Sequence, residues 1–388
     1  MNKSILNKEV QDFIDTNLNQ DLVKLTLKGS PFPYVSIQEI SIQIQGKLKA
    51  KDKLPTWFKT KEIYYPPKLH IEQTSSETTA KYKSKLVSGD TIADLTGGFG
   101  VDTFYFSKKF NETSHFETNK ELSKIASHNF SILSPKIRCH NDDGILAIKN
   151  KKYDVIYIDP SRRNEIKGKV FYLSDCLPNV IIHLDYLLER CTTLMIKTSP
   201  MFDISAGLNE LHNVYEIHVV ALKNEVKELI WLIEKGREST VNIITVNLLE
   251  TSDEVFEAPL NLSSKTNYSL PKKFLYEPNA AIMKSGLFDA LCLKFPIEKL
   301  APSSHLFTND DLIDFPGRRF EISEVIPYAK AEMKKALFGI KANISTRNFP
   351  ETVSGLKTKW KIKDGGDLYL FFTTNKDKMK VVLKCIKI

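Results

Sequence analysis

The sequence predicts an α/β fold built on a mostly parallel sheet of seven strands, with a helical region before it and a small α+β domain after it. Between Asp90 and Ile233, apolar strand-like runs alternate with helical segments, which is the pattern of parallel strands joined by crossover helices. The last two runs are separated only by Lys223, Asn224 and Glu225. This connection is too short for a crossover helix, so these two strands should pair as an antiparallel hairpin.

The individual elements follow from local composition. The strand candidates, in chain order, are TIADL, SHFET, KIRCH, DVIYID, TLMIKT, YEIHVVAL and VKELIWLIE. Before them the chain is largely helical and is interrupted at the proline-containing segments PFPY, LPTW and YYPP. After Gly236 we expect one more strand, TVNIITVNLL, and then a loop rich in Ser, Asn and Pro as far as Pro271.

The C-terminal part predicts a small α+β domain. We expect helices over YEPNAAIMKSGLFDALC and EVIPYAKAEMKKALFGI, and strands over KANISTRNF, DLYLFFTT and KVVLKCIKI. The chain should therefore divide into a helical region, a central α/β domain, a linker with one strand, and the α+β domain: residues 1–67, 68–238, 239–273 and 274–388.

Composition limits the class of protein. No apolar run reaches the roughly 18 residues of a membrane span, and the N-terminus lacks the apolar core of a secretory signal. The five cysteines are odd in number, widely spaced and never form CxxC, which disfavours a disulfide framework and a zinc ribbon. We therefore expect a cytoplasmic protein that holds no metal and is not inserted in a membrane.

The net charge of +8 is unevenly distributed along the chain. Residues 321–388 hold 14 Lys and Arg against 7 Asp and Glu, a balance of +7. Residues 46–70 hold seven Lys against Asp52 and Glu62, a balance of +5. Such surfaces attract polyanions. Charge alone leaves two interpretations open, a nucleic-acid partner or simple solubility.

The most informative motif is ADLTGGFGVDTFYFS. An apolar strand ends in Asp94, a glycine-rich turn follows, and a helix should begin near Val101. Because they lack Cβ atoms, Gly98 and Gly100 let the backbone turn tightly and approach a ligand. The dinucleotide fingerprint G-x-G-x-x-G fails, since Thr103 stands where its third glycine is required, whereas D-x-x-x-G-x-G fits. A tight connection without a ligand is the alternative.

Acidic residues follow the next two strands. Glu117 in SHFETNKE falls at a strand end, where a carboxylate can accept hydrogen bonds from ribose hydroxyls, although it also suits an exposed loop. In CHNDDG, Asp142 or Asp143 is placed to meet an adenine amino group, and we favour Asp143 because Gly144 leaves space beside it. Asp143 can cap a helix at the same time.

The segment DVIYIDPSRR contains the candidate reaction site. An apolar strand ends in Asp159-Pro160 at the carboxyl edge of the sheet, where open α/β folds place ligands. Pro160 restrains Asp159 to an extended conformation, so the carboxylate can aim at a donor hydrogen on a substrate. Arg162 and Arg163 suit bidentate contact with phosphate or carboxylate. An Asp–Arg ion pair that only shapes the loop is the alternative.

Together, the Asp94–Asp102 motif, Glu117, Asp143 and Asp159-Pro160 resemble motifs I to IV of class I S-adenosylmethionine (SAM) dependent methyltransferases, whose sheet is Rossmann-like. More closely, HIEQTSSETTAKYKSKL, DPSRR, IKTSP, VKELIWL and YEPNAAIMKSG resemble, in this order, a bacterial group of these enzymes with a C-terminal THUMP-like domain. For the C-terminal α+β domain the resemblance implies a THUMP-like or ferredoxin-like arrangement.

The resemblance implies that SAM is bound by residues of the first three motifs: Asp94, Thr96, Gly98, Gly100, Asp102, Glu117 and Asp143. It implies that Asp159 and Pro160 form the methyl-acceptor site, to which we add Arg162 of the same loop. THUMP domains bind structured RNA, so an rRNA or tRNA substrate is implied, held by basic C-terminal residues: Lys334, Lys335, Lys341, Arg347, Lys357 and Lys359.

The chain departs from the usual motifs in two places. Thr96 stands at the first glycine position of motif I. Enzymes that methylate amino groups usually carry an aromatic residue after D-P-P, where this chain has Ser161 and two arginines, so base stacking would fall to other side chains: Tyr157, Phe171 or Tyr172. Methylation of carbon would need a cysteine nucleophile, and Cys176 and Cys191 lie in apolar surroundings that favour inert thiols.

Two further segments belong to this edge of the sheet. Lys197 in IKTSP either binds phosphate or forms an ion pair. Ser75 or Ser76 should cap a helix that presents Lys81 and Lys83 above the SAM site, in a gating or substrate-contact role or as a plain helix cap.

Three other functions stay open on the sequence alone. The first is a methyltransferase of a small molecule or a protein, in which the terminal domain only shapes the pocket. The second is an RNA-binding protein on a non-catalytic SAM-type fold, against which the complete set Asp94, Glu117 and Asp159 argues. A dehydrogenase is disfavoured by the missing third glycine and by the terminal hairpin.

Overall fold

The computed structural model describes residues 1–162, 172–262 and 266–388. The chain forms two compact units. The first contains Met1–Tyr215 and Leu229–Ser239, and the second contains Glu216–Glu228 and Thr240–Ile388. The four-part division expected from the sequence stays a prediction. No helix of the described residues is long and apolar enough to cross a bilayer.

The first unit begins with a helical region, as predicted. After a 3₁₀ helix at Lys3–Leu6 come six α-helices: α1 (Lys8–Thr16), α2 (Leu22–Lys28), α3 (Ile37–Lys53), α4 (Pro55–Lys59), α5 (Lys68–Gln73) and α6 (Glu77–Lys83). Ser36 and Glu39 form a capping box that starts α3. The predicted proline breaks fall between helices, because proline is tolerated in the first turn of a helix but not in its interior.

The central part of the first unit alternates strands and helices. Its elements are β1 (Thr91–Asp94), α7 (Val101–Ser107), β2 (Glu112–Phe116), α8 (Lys120–Leu133), β3 (Ile137–His140), α9 (Gly144–Ala147), β4 (Tyr153–Ile158), β5 (Ser161–Arg162), β6 (Cys176–Leu177), α10 (Val180–Leu188), β7 (Cys191–Thr198), α11 (Ile204–Glu210), β8 (Val214–Leu222) and β9 (Glu225–Ile233). All seven predicted strands are present. The two-residue ladder of β5 with β6 was not predicted.

In the sheet of the first unit the strands lie side by side in the order β9-β7-β4-β1-β2-β3. Strand β8 lies on the other side of β9. Strands β7, β4, β1, β2 and β3 are parallel, and β9 runs antiparallel to β7. Lys223 and Asn224, both with positive φ, form the tight turn of the expected β8–β9 hairpin. The predicted Rossmann-like fold class is thereby confirmed.

Parallel pairing brings the functional motifs to one edge of the sheet. Asp94 is the last residue of β1, Glu117 follows β2 directly, and Asp159 follows β4 directly. Lys197 lies one residue before the end of β7. Because the carboxyl ends of parallel strands share an edge, residues far apart in the chain become neighbours there.

The second unit contains most of the remaining strands. Its elements after the hairpin are β10 (Asn242–Leu248), β11 (Glu254–Pro259), β12 (Phe274–Pro278), α12 (Ala280–Ser285), α13 (Phe288–Lys294), β13 (Glu298–Lys299), β14 (Phe307–Asn309), β15 (Gly317–Pro327), α14 (Lys330–Leu337), β16 (Asn343–Arg347), α15 (Val353–Trp360), β17 (Leu368–Thr374) and β18 (Lys380–Lys387). Strand β10 pairs parallel to β8 and antiparallel to β11. A separate sheet has the order β13-β14-β12-β15-β18-β17-β16.

For both helices predicted in the C-terminal part, the predicted N-terminal end was wrong. The segment YEP belongs to β12, and the helical part that follows breaks at Gly286, whose φ is positive. Likewise EVIP belongs to β15, and α14 begins only at Lys330. In each case proline ends an extended segment, because the residue before proline avoids the helical region. Strand β11, inside the predicted loop, and strands β14 and β15 were missed.

Candidate functional site

A cavity of about 570 Å³ opens at the carboxyl edge of the sheet in the first unit. Its walls come from the turns after β1, β2, β3 and β4, from the end of α5, and from β5 and β6. The lining includes His70, Gln73, Thr74, Ser75, Asp94, Thr96, Gly98, Asp102, Glu117, Asp143, Tyr157, Asp159, Ser161 and Pro178. The size is within the usual range of small-molecule sites.

Asp94 organises the turn at the floor of the cavity. Its carboxylate accepts hydrogen bonds from the Thr96 backbone N–H at 3.1 Å and from the Thr103 hydroxyl at 2.6 Å. Burial raises the pKa of Asp94 to about 7; the hydrogen bond from Thr103 opposes the rise, and the charges of Asp102 and Asp159 add to it. Near neutral pH this carboxyl group therefore exchanges between its neutral and charged forms.

The glycines of the turn have two different functions. Gly98 has a φ of 55°, and the direction of its absent Cβ is open apart from the Thr96 carbonyl oxygen at 3.8 Å. Gly100 has a φ of 89°, and a Cβ there would lie 2.2 Å from the Phe130 ring. Gly98 therefore leaves backbone accessible, whereas Gly100 permits close packing of α7 against α8.

Glu117 is tied to its own loop and to the turn after β1. Its carboxylate accepts from the Gly98 N–H at 2.9 Å, from the Asn119 N–H at 2.6 Å and, at 3.5 Å, from the Thr118 hydroxyl. Two carboxylate oxygens together offer about four acceptor positions, so these three donors do not saturate the group. The half-buried side chain is thus held in place at the cavity wall while it keeps acceptor capacity.

Asp143 caps α9, as the sequence allowed. Its Oδ1 accepts from the N–H groups of Ile145 at 2.9 Å and Leu146 at 3.2 Å. Gly144 does not simply leave space beside Asp143, because a Cβ there would lie 2.8 Å from the Leu95 Cα. This glycine instead lets the first turn of α9 pack against the residues after β1. Asp143 lines the cavity, and Asp142 is not among its lining residues.

Asp102 belongs to a buried polar network. Its carboxylate accepts from the Ser75 hydroxyl at 2.8 Å and from the Tyr157 hydroxyl at 3.0 Å, and it lies 3.0 Å from the Lys83 ammonium. Lys83 is completely buried and also donates to Ser75 at 2.8 Å. Ser76, not Ser75, caps α6. Helix α6 is therefore joined to α7 and β4 through charged and hydroxyl groups.

Asp159 is held from two directions. Its backbone N–H donates to the Thr96 hydroxyl at 2.7 Å, and its Oδ2 accepts from the Lys197 ammonium at 2.6 Å. Of the two functions that the sequence left open for Lys197, the structure contains the ion pair. Among the described residues, none donates a hydrogen bond to Oδ1 of Asp159. This oxygen is available to a ligand in the cavity that Asp159 lines.

The structure describes only part of the loop that follows Asp159 and Pro160. Ser161 and Arg162 pair as strand β5 with Leu177 and Cys176 of β6. The side chain of Arg162 is outside the described part of the structure, as are Arg163 and Phe171 as whole residues. Of the stacking candidates, Tyr172 is 45% exposed, whereas Tyr157 is 1% exposed and bonded to Asp102. Tyr157 is thus part of the protein interior.

The cysteines match the expectation of inert thiols where they are buried. Burial raises the pKa of Cys191 to about 12. Its Sγ lies 3.3 Å from the Leu187 carbonyl oxygen. Cys176 is half-buried in β6. Within residues 1–162, 172–262 and 266–388, no group of three or more His, Cys, Asp or Glu side chains is arranged to hold a metal ion.

The cavity is acidic. Carboxylates of Asp94, Asp102, Glu117, Asp143 and Asp159 line it. Two buried or half-buried lysines, Lys83 and Lys197, each neutralise one of them. The remaining negative charge favours a ligand that carries positive charge. The sequence had placed both lysines near this edge and had left an ion pair open for Lys197, but it did not identify Asp102 and Asp159 as the carboxylates with which they pair.

Comparisons with known proteins agree with this geometry. The chain is similar to a candidate methyltransferase from Porphyromonas gingivalis W83: the two are 31% identical, the match covers 99% of this chain and 98% of the other, and the TM-score is 0.89. Two family profiles match the C-terminal part, a ferredoxin-like domain over residues 274–316 and a THUMP domain-like family over residues 317–387. No curated protein shows a significant sequence match.

More limited likenesses cover about two fifths of the chain. A Pyrococcus abyssi tRNA (uracil-54, C5)-methyltransferase in complex with S-adenosyl-L-homocysteine is 19% identical over 41% of this chain and 38% of its own length, with a TM-score of 0.32. An rRNA methylase from Streptococcus thermophilus is 14% identical over 41% of this chain and 94% of its own length, with a TM-score of 0.29. At these scores neither likeness bears on the activity.

Proposed function

This chain belongs to the class I SAM-dependent methyltransferases of the bacterial group with a C-terminal THUMP-like domain, and from this premise we propose that it transfers the methyl group of SAM to RNA. The proposed acceptor site is the loop Asp159-Pro160-Ser161-Arg162. The observation that carries the proposal is the acidic cavity that joins the Asp94 turn to Asp159.

The residues of the cavity fit SAM. Its volume of about 570 Å³ suits a ligand of this size. The open space beside Gly98 permits close approach to the backbone, and Glu117 and Asp143 offer acceptors for hydroxyl and amino groups. SAM carries a sulfonium, which the surplus carboxylates would favour. We propose Asp94, Thr96, Gly98, Gly100, Asp102, Glu117 and Asp143 as the residues that hold it or shape its site.

SAM supplies an already activated methyl group when it is bound. The protein therefore has to align the acceptor and exclude water. Asp159 is suited to this task because Thr96 holds its backbone and Lys197 holds one carboxylate oxygen. The other oxygen, Oδ1, can accept a hydrogen bond from the acceptor group and set its direction. Pro160 restrains the backbone of Asp159, the residue before it, to an extended conformation.

The basic C-terminal region is the part of the chain that an RNA substrate would contact. An acidic cavity does not hold phosphates, so a nucleic acid would have to be bound by basic surface elsewhere. Of the six basic residues named for this purpose, three are ion-paired within the chain: Arg347 with Glu277, Lys357 with Asp364 and Lys359 with Glu351. Lys334 and Lys335 are exposed on α14 and have no ion-pair partner among the described residues.

The test is methyl transfer by the purified full chain. The protein is incubated with SAM labelled in its methyl group and with separate pools of rRNA, tRNA, cellular protein and small molecules. We expect label in one RNA pool and micromolar binding of SAM, but not of NADH, by calorimetry. Label in protein or in small molecules would identify that class, and not RNA, as the substrate. RNA binding without any SAM binding would point to a non-catalytic protein.

SAM affinity should rise with pH between about 6 and 8. Asp94, with its pKa near 7, is mostly neutral at pH 6 and mostly charged at pH 8 in the free protein. A positively charged ligand favours the carboxylate and lowers this raised pKa, so a proton leaves on binding. For a single linked group the gain is about tenfold over this range. Calorimetry in buffers of different ionisation enthalpy measures both the affinity and the proton release.

Asp94→Asn is the control for this pH dependence. It keeps the size of the side chain and removes the titrating proton, so the remaining affinity should no longer vary between pH 6 and 8. A steep pH profile in this variant would assign the titration to another group.

A further inference from the structure

In the second unit, one buried glutamate holds two arginines. Glu277 of β12 has a side chain that is 3% exposed. Its Oε2 accepts from Nε of Arg318 at 2.6 Å and is also paired with Nη2 of the same side chain, and its Oε1 accepts from Nη2 of Arg347 at 2.9 Å. Each arginine side chain is 35% exposed. One carboxylate offsets one of the two charges, so a positive charge remains at the surface.

The two guanidinium groups have more donors than Glu277 can accept. Nε of Arg347 is buried and has no hydrogen-bond partner among the described residues. Thr373 is completely buried, and its hydroxyl likewise has no hydrogen-bond partner among the described residues. Thr373 is the register partner of Arg347 on the neighbouring strand, so the two side chains lie on one face of the sheet. Both atoms are closed to solvent, so an oxyanion from solution would contact the exposed part of the two arginine side chains.

The positive charge of this region also acts on a neighbouring histidine. Burial lowers the pKa of His305, and the charges of Lys299 and Arg347 lower it further. Nδ1 of His305 is also buried without a partner among the described residues. His305 is therefore biased toward its neutral form, and the positive charge that would attract an anion belongs to the two arginines.

We propose that Arg318 and Arg347 bind a backbone phosphate of the RNA; the choice of RNA rests on the proposed function. The planar fork of arginine matches two oxygens of a phosphate, and two such groups anchored on one carboxylate are preorganised for it. The surplus of seven positive charges over residues 321–388 attracts a polyanion to this part of the chain. Arg347 therefore has two partners, Glu277 within the chain and the phosphate.

The test compares Arg347→Gln with Arg319→Gln in the full chain. Arg347→Gln leaves Glu277 paired with Arg318, so the fold should survive. Arg319 is the neighbour of Arg318 on β15, its side chain is 36% exposed, and it is paired with Asp314. Each change removes one positive charge. Binding of fluorescently labelled bulk tRNA is measured by anisotropy over a range of salt concentrations, and SAM binding is measured separately by calorimetry.

We expect Arg347→Gln to weaken tRNA binding about tenfold and to reduce the slope of log affinity against log salt by about 0.7 to 0.9. Arg319→Gln should change affinity less than about twofold, and SAM should bind all three proteins equally. Equal behaviour of the two variants would overturn this phosphate site and leave the proposed function standing. Failure of the unaltered protein to bind tRNA, with binding of poly-glutamate that Arg347→Gln abolishes, would overturn RNA as the ligand.

Discussion

Asp159→Asn is expected to lower kcat for methyl transfer by about 100-fold or more, while the Kd for SAM changes less than about threefold. The substitution preserves shape but replaces the carboxylate with a neutral amide. It removes the ion pair with Lys197, and the amide can present an N–H where the acceptor group requires an oxygen. The loss therefore falls on the alignment of the acceptor rather than on the binding of SAM.

The measurement is single-turnover transfer from labelled SAM to the RNA pool that the wild-type protein modifies. Asp154→Asn is the matched control, because Asp154 lies near the start of the same strand, at the opposite edge of the sheet. Its Oδ2 accepts from the N–H groups of Asp90 and Thr91, both at 2.8 Å, and these bonds keep its pKa below the usual range. An amide oxygen can still accept them. Turnover of Asp159→Asn within about threefold of wild type would exclude the proposed function of Asp159.

Gly100→Ala is expected to abolish detectable SAM binding and to lower the free energy of unfolding by about 2–5 kcal/mol. Two costs combine at this position. A left-handed conformation with φ of 89° costs a residue with a Cβ about 1–2 kcal/mol. The new methyl group would also lie 2.2 Å from the buried Phe130 ring, and overpacking of this kind costs about 1–3 kcal/mol. Relief of the clash shifts the turn that carries Gly98.

Gly286→Ala separates the two costs. Gly286 follows α12 in the same left-handed conformation as Gly100, with a φ of 74° and a ψ of 7°, and nothing lies within 4 Å of the position of its absent Cβ. It should show only the conformational cost of about 1–2 kcal/mol and bind SAM normally. Urea denaturation and calorimetry provide both readings. Equal losses of stability in the two variants, with normal SAM binding in Gly100→Ala, would show that contact with Phe130 does not support the cofactor turn.

The parts of the fold that were predicted correctly depend on short stretches of sequence. TIADL and DVIYID are largely apolar runs with turns on either side, so their conformation follows from local composition. The β8–β9 hairpin follows from a connection too short for a helix. The errors in the C-terminal part have the opposite origin. The segment YEPN shows no clear alternation, and its extended conformation comes from pairing with β14 and β15, elements not recognised in the sequence.

The candidate site shows the same division. The sequence by itself determined that Asp94, Glu117 and Asp159 stand at the ends of three strands, β1, β2 and β4, because the position of a residue relative to a strand end is a local property. Only the tertiary structure decided that Lys197 pairs with Asp159, that Lys83 is buried against Asp102, and that Arg318 and Arg347 share Glu277. These partners are 19 to 70 residues apart in the chain. Long side chains can reach many places, and packing alone selects the buried charge that each one neutralises.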